Sequence, residues 1–521
     1  MRALYSFITL TNSFATMAAA MILAGLATEY TGEDIYSQSF TMGPYLLGLG
    51  IGSSWADRVH ESSRLKWLWG LEFLSLLLIA TMPLIFLSSV FLFSHAMPFE
   101  VVLDNLVSLR FMLVLTSVLA LLMGALGGSQ FPLILKLPHK INEEVLVMIN
   151  YLGPLMALSL LLLGEVMSWP LWHQVSLVVL LQLLGLMALN LVLKKRGQFY
   201  LSLLVIFPLI LLNYSQSRIE GLLIRSSYLS TRARLTSWDS WQNLMRFLDQ
   251  HAVLERVRTP YQTIDLLIEP PDLQLSLPGN ATVYLNRKPQ FDLTTVDVYH
   301  QTMVEAALNF KNEIKSILIL GAGDGLLLKE WKSRAFEKIT MVELDGKMIE
   351  WSATHPIMKS LNQGVLSSHD PRVEIIVDDA IHFLKNNHQE FDLVLIDFPF
   401  PNSVDLAKLY SHEFYALAKR ALKSDGLLML DLPILQDEKG GMAIEGQTIL
   451  KTLDSVDFKN PLVFGPHASF VAYAADKSQL EFDYAKLQNI SLQTKLNLVP
   501  ILKKVDFSRG EVNSMLRPRV L

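Results

Sequence analysis

The chain has 521 residues, 51% of them hydrophobic and 18% charged, with a formal net charge of −5. A mean hydropathy of +0.34 is too apolar for an ordinary soluble protein, so part of the chain belongs in lipid. The absence of cysteine excludes disulfides, thiolate zinc sites, iron–sulfur clusters and a cysteine nucleophile. The acidic balance and the lack of a dense Lys/Arg tract give no footprint for nucleic acid.

Apolar residues concentrate in the first 215 positions, where runs of membrane-spanning length occupy about 5–27, 42–55, 67–93, 111–135, 145–169, 175–193 and 199–214. These predict a multi-span domain of six to seven segments over 1–215. With only Arg2 ahead of it, the first run reads as a span rather than a cleaved signal. Basic residues cluster in alternate loops: Arg58, Arg64 and Lys66, then Lys136 and Lys140, then Lys194, Lys195 and Arg196. The positive-inside rule therefore puts the N-terminus and these loops in the cytoplasm. Segment 199–214 holds Pro208 and is basic on both flanks. We read it as re-entrant or interfacial, which keeps residues 216–521 on the cytoplasmic side. Glycines at 48, 50, 52, 124, 127 and 128 read as close helix contacts. Glu72 leaves two readings open: a functional carboxylate inside a span, or a partner of Arg64 or Lys66.

From 216 the apolar runs are short. A connector over 216–258 leads to β-like segments, "YQTIDLLIE" (261–269), "LQLSLP" (273–278) and "TVYLN" (282–286), read as a small β-domain over 259–297. The pattern over 298–521 then alternates strand and helix, as in a parallel Rossmann-like α/β domain. The strand "SILIL" runs into Gly321, Ala322, Gly323, Asp324 and Gly325. The next strand ends at Glu343, 20 residues after Gly323, where an acid can take both hydroxyls of a ribose. An acid at position 324 disfavours a pyrophosphate and points to a nucleoside carrying a cationic substituent. "VEIIV" ends in Asp378, Asp379 and Ala380, and "FDLVLID" ends at Asp397. All four acidic ends lie at the carboxyl edge, where open α/β sheets bind ligands.

The pieces "TPYQ" (259–262), "YLNRKPQF" (284–291), "VYHQ" (298–301), "LILGAGDGL" (318–326), "VELD" (342–345), "DPRVEIIVDDA" (370–380), "DLVLIDFPFPN" and "KLYSHEFY" (ending at 415) resemble the spermidine synthase family of polyamine aminopropyltransferases. The resemblance is specifically to bacterial members with an N-terminal multi-span membrane domain. It implies a methyltransferase-type Rossmann-like fold behind a small β-domain, decarboxylated S-adenosylmethionine as donor, methylthioadenosine as product and no metal. It also implies that Gln262, Gln290 and His300 line the donor site with Gly321 and Gly323. Asp324 would hold the aminopropyl ammonium, Glu343 the ribose, and Asp379 with Ala380 the adenine. Asp397 would deprotonate the attacking amine, with Tyr299 and Tyr410 around the acceptor.

The sequence departs from the family on the acceptor side. Phe400 replaces the second acid of the "DxxDP" motif, Thr295 and Val296 replace an acidic pair, and Gln301 stands where Glu is common. Poorly paired ammonium groups would cost several kcal/mol each if buried. A changed acceptor is therefore expected. The alternatives are acceptor-free cleavage of S-adenosylmethionine to methylthioadenosine and a lactone, methyl transfer, or a non-catalytic nucleoside sensor. Expected partners are a small amine or no acceptor and the lipid bilayer, with homodimerisation open and nucleic acid excluded. The expected location is the inner membrane.

Overall fold

The computed structural model describes residues 2–193 apart from 32–33, 97–104, 138–140, 168 and 170; 253–432 apart from 270–278, 287, 294–295 and 402–403; 442–483 apart from 466–469; and 486, 498 and 507–519. Segment 199–214, the "LQLSLP" stretch, Thr295 and most of the 216–258 connector lie outside the described residues. The chain divides into two compact units, Met1–Gln290 and Phe291–Leu521.

The first unit opens with six long helices: α1 (Arg2–Thr31), α2 (Asp34–Ala56), α3 (Arg64–Ala96), α4 (Asn105–Leu135), α5 (Glu143–Val166) and α6 (Leu171–Leu193). Five of them contain stretches long and apolar enough to cross a membrane: Arg2–Thr28, Glu61–Phe86, Arg110–Leu135, Glu143–Gly164 and His173–Leu193. The second run, expected over 42–55, is the N-terminally extended α2, which is not among the five. The run expected to reach 169 ends as helix at Val166.

Helix α1 is the hub and packs on α2, α3, α4, α5 and α6. Its Ala15, Ala18, Ala19, Ala20 and Ala27 are buried, and such small side chains let five neighbours approach one axis. Helices α2 and α4 meet still more closely. A Cβ on Gly48, Gly52, Gly124 or Gly128 would collide with the backbone of the opposite helix, so these glycines serve packing, as expected. Lys136 pairs with Asp57 at 2.5 Å, and Arg64 donates to the Lys136 carbonyl at 3.1 Å. Two of the basic loops therefore sit at the same end of the bundle, as their alternation along the chain requires.

The unit also holds a four-stranded sheet in the order β1 (Val253–Arg258), β2 (Thr263–Glu269), β3 (Asn280–Leu285), β4 (Lys288–Asp292). Strand β1 corrects the connector, which was expected to run to 258. Its "VLERVR" sequence carries three charges, and the pairing explains the most central of them, Arg256. Arg256 stands opposite Asp265 and grips its fully buried carboxylate through Nε at 2.6 Å and Nη2 at 2.7 Å. Strand β4 was likewise not foreseen.

The second unit is a seven-stranded sheet in the order β10-β11-β9-β8-β5-β6-β7. The strands are β5 (Ser316–Gly321), β6 (Lys338–Glu343), β7 (Val373–Val377), β8 (Phe391–Asp397), β9 (Leu422–Asp431), β10 (Leu462–Phe464) and β11 (Phe470–Ala474). β5 to β9 pair in parallel, and β11 is antiparallel to both its neighbours. Strands such as "ILIL" and "LVLI" are apolar throughout because both sheet faces are covered. Two cores result, one around Trp331, Met303 and Phe464 and the other around Phe414, Tyr415 and Leu450. This is the expected Rossmann-like sheet. Strand order reverses between β5 and β8, which opens a crevice there at the carboxyl edge.

Candidate active site

Five acidic groups line the crevice edge in sheet order, because the five parallel strands all end there: Asp379 after β7, Glu343 on β6, Asp324 after β5, Asp397 on β8 and Asp431 on β9. The Gly-rich loop turns sharply at its centre. Gly321 and Ala322 both take left-handed conformations (φ 90° and 62°), as does Gly325 at the start of α8 (Leu326–Lys332). Gly321 is needed because a Cβ would run into the Asp397 carbonyl, and Gly323 because one would lie 2.9 Å from Glu343. Ala322 adopts its conformation at a cost of roughly 1–2 kcal/mol, strain of the kind found at ligand-binding loops.

Glu343 is held in place by two backbone donors, Gly323 N to Oε2 at 3.1 Å and Asp345 N to Oε1 at 2.9 Å. Burial pushes its pKa up to about 7, the Asp345 N–H pulls it down, and the charges of Asp345 and Asp324 raise it. Asp324 accepts from Leu326 N at 2.9 Å, and its charge acts on both Glu343 and Asp397. It is thus near enough to both for its charge to be felt. Asp379 caps α11 (Ala380–Asn386) by accepting from His382 N at 2.8 Å, with Ala380 buried behind it. One of its oxygens is thus used structurally. Neighbouring Asp378 turns away onto the His382 ring at 2.8 Å.

The other end of the crevice is built by α7 (Val296–Phe310). Tyr299 donates from its hydroxyl to Asp397 Oδ1 at 3.1 Å, and its ring packs on His300 (4.9 Å) and Phe470 (5.0 Å). His300 is buried, with Nδ1 2.7 Å from the Val296 carbonyl. Burial drives Asp397 up to about 6, with His300 opposing and Asp324 adding to the rise. At the opposite end of the same strand, burial also works upward on Asp392. There the donors of Ser316, Lys423 and Lys315 overcome it and hold the carboxyl near 2. The contrast separates an acid satisfied by its donors from acids whose burial is not fully compensated.

Tyr410 is 2% exposed, and its hydroxyl donates at 3.2 Å to the carbonyls of Phe398 and Pro399. It braces the turn after Asp397, and the charges of Asp431 and Asp397 both act on it. Phe400 is half-buried in that turn, and Gln301 is half-buried on α7. Gln262 and Gln290 belong to the first unit, Gln262 half-buried and Gln290 exposed. Among the described residues no His/Asp/Glu group has the arrangement of a metal site.

Asp431 is the residue that the motifs did not reveal. Ile396 and Leu430 are register partners, so Asp397 and Asp431 succeed them side by side on adjacent parallel strands with their side chains on one face. Its Oδ1 is buried without a hydrogen-bond partner. Burial first, and then the charge of Asp397, push its carboxyl well above the ordinary range. Tyr299 feels both acids and rises well above the usual phenol value, chiefly through burial. The signal was present, because "GLLMLD" repeats the apolar-strand-then-acid pattern of β6 and β8.

Residues 296–439 match the spermine/spermidine synthase domain. The chain carries a spermine/spermidine synthase domain. Similarity to polyamine aminopropyltransferases extends well beyond that domain. Polyamine aminopropyltransferase 2 of Aquifex aeolicus is 26% identical over 97% of this chain and 95% of its own length. Polyamine aminopropyltransferase 2 of Ralstonia nicotianae is 28% identical over 80% and 75%. Polyamine aminopropyltransferase 1 of Streptomyces coelicolor reaches 40% over 29% of this chain and 28% of its own length. The crystal structure of spermidine synthase from Thermotoga maritima aligns with a TM-score of 0.37 and 21% identity, covering 48% of this chain and 85% of that one. The family whose domain matches is the one that the motifs resemble, which bears out the expectation of a transferase of the spermidine synthase type.

Proposed function

We propose that this protein is a membrane-integral aminopropyltransferase that takes decarboxylated S-adenosylmethionine and an amine, and releases methylthioadenosine. An attacking amine nitrogen bonds to the carbon beside the sulfonium. The carbon–sulfur pair returns to sulfur, and the amine's extra proton passes to Asp397. Glu343 grips the ribose and Asp324 the donor ammonium. An edge with Asp324, Glu343, Asp397 and Asp431 suits a dication and disfavours the carboxylate of intact S-adenosylmethionine.

One observation carries the acceptor side: Asp397 and Asp431 lie side by side, with the Tyr299 hydroxyl on Asp397. Phe400 removes one acid from the pocket, and Asp431 supplies one from the neighbouring strand. The acceptor pocket is therefore altered without being stripped of charge. Two carboxylates sharing one ammonium make charge-assisted hydrogen bonds worth roughly 1.5–3 kcal/mol each. This favours an amine acceptor over the acceptor-free lactone route. Asp431→Asn is expected to lower kcat/KM for the amine about tenfold to a hundredfold while methylthioadenosine binding is unchanged. Adding Phe400→Asp to Asp431→Asn should recover part of the loss. Unchanged amine turnover in Asp431→Asn would remove Asp431 from the acceptor pocket. Faster methylthioadenosine release from intact S-adenosylmethionine in that variant would favour the lactone route.

A further inference from the structure

Inside the helix bundle lies a polar layer that the transfer reaction does not use. Asn12 on α1, Glu72 on α3, Gln130 on α4 and Gln182 on α6 are 5%, 0%, 1% and 0% exposed. Asn12 Nδ2 donates to Glu72 Oε1 and ties α1 to α3. Of the two readings of Glu72, the pairing with Arg64 or Lys66 is not the one formed, and Arg64 reaches the Lys136 carbonyl instead. Gly185 on α6 packs against Thr11, next to Asn12, and Gln182 lies one turn from Gly185 on the same helix. Helices α1 and α2 pack on each other with only two residues between them in the chain, so they run antiparallel. α2 runs parallel to α4, since Gly48 meets Leu121 to Ala125 and Gly52 meets Ala125 to Ser129. α4 is therefore antiparallel to α1. With Gly127 on Thr16, Gln130 falls one turn along, at the level of Asn12.

Within this layer six buried atoms have no hydrogen-bond partner: Glu72 Oε2, Asn12 Oδ1, and both amide atoms of Gln130 and of Gln182. Leaving so many buried polar atoms unpaired is costly in any interior and more so in an apolar bundle. Four of the six are oxygens, one of them from a carboxylate, and they come from four helices. We propose that this layer binds a small monovalent cation, either an alkali ion or the ammonium head of an amine. Oxygen donors around a single carboxylate suit that charge and would leave a divalent ion underneutralised. The site stands whatever reaction the second unit performs.

The test is calorimetric titration of the purified full-length protein in detergent, in choline buffer, with sodium chloride, potassium chloride and methylammonium chloride in turn. At least one probe is expected to bind saturably to the wild type, and at least tenfold more weakly to Glu72→Gln, which keeps the side chain's shape. Gln182→Met should weaken the same probe about threefold or more. A response to sodium or potassium alone assigns an alkali-ion site, and a response to methylammonium an amine site. Identical titrations for wild type and both variants would overturn the proposal. Should Glu72→Gln fail to fold, by circular dichroism, Gln182→Met decides by the same criterion.

Discussion

Glu343 and Asp324 touch the same loop but are expected to hold different parts of the donor, and substitutions can separate them. Glu343→Gln should weaken methylthioadenosine and the decarboxylated donor alike, because both carry the ribose. Asp324→Asn should weaken the cationic donor by roughly tenfold or more and leave neutral methylthioadenosine nearly unaffected. Equal losses for both ligands in Asp324→Asn would contradict its role. The pH dependence stems from the raised value of Glu343, about 7 against an ordinary 4.5. Between those values the empty folded protein holds a proton on Glu343 that the unfolded chain has released. This group's contribution to stability therefore declines as pH rises through that window. Ribose hydroxyls donate best to the ionised carboxylate, so methylthioadenosine affinity should rise from pH 5.5 to 8, by at most about tenfold per unit below 7. Equilibrium binding across that range checks it. Glu343→Gln should be flat, and a flat wild-type profile would show that Glu343 does not hold the ribose.

At the scale of elements, legibility tracked how strongly the local pattern constrains the chain. β5 to β8 were readable to within a residue because a doubly covered strand must be apolar throughout and stop at a turn. β1 was not readable, because its Arg256 is neutralised by Asp265 across the sheet, a pairing that exists only after folding. Asp397 and Glu343 were legible as acids at strand ends. Asp431 needed the register that sets β9 beside β8, and the Tyr410 hydroxyl needed the turn it braces. Glu72 was legible as an anomaly, but its partner, 60 positions away on α1, was not. The basic loops joined through Lys136, Asp57 and Arg64 support the alternation from which cytoplasmic placement of the second unit was inferred. A reporter active only in the periplasm, fused after Leu521, should be silent. A reporter that is active there would mean that segment 199–214 crosses the membrane.

For the whole molecule, the proposed transfer chemistry and the proposed cation site fall in different units. The acidic edge lies entirely in the second unit, built by β5 to β9 and α7. The polar layer around Glu72 lies entirely in the first. Whichever role the bundle has, the reaction itself can be read from products. Purified full-length protein is incubated with decarboxylated S-adenosylmethionine, alone and with a diamine or triamine, and separately with intact S-adenosylmethionine, and the products are identified by mass spectrometry. The account predicts methylthioadenosine and an amine heavier by one aminopropyl group, formed only when decarboxylated donor and amine are both present. Methylthioadenosine with a lactone from intact S-adenosylmethionine, independent of any amine, would contradict it.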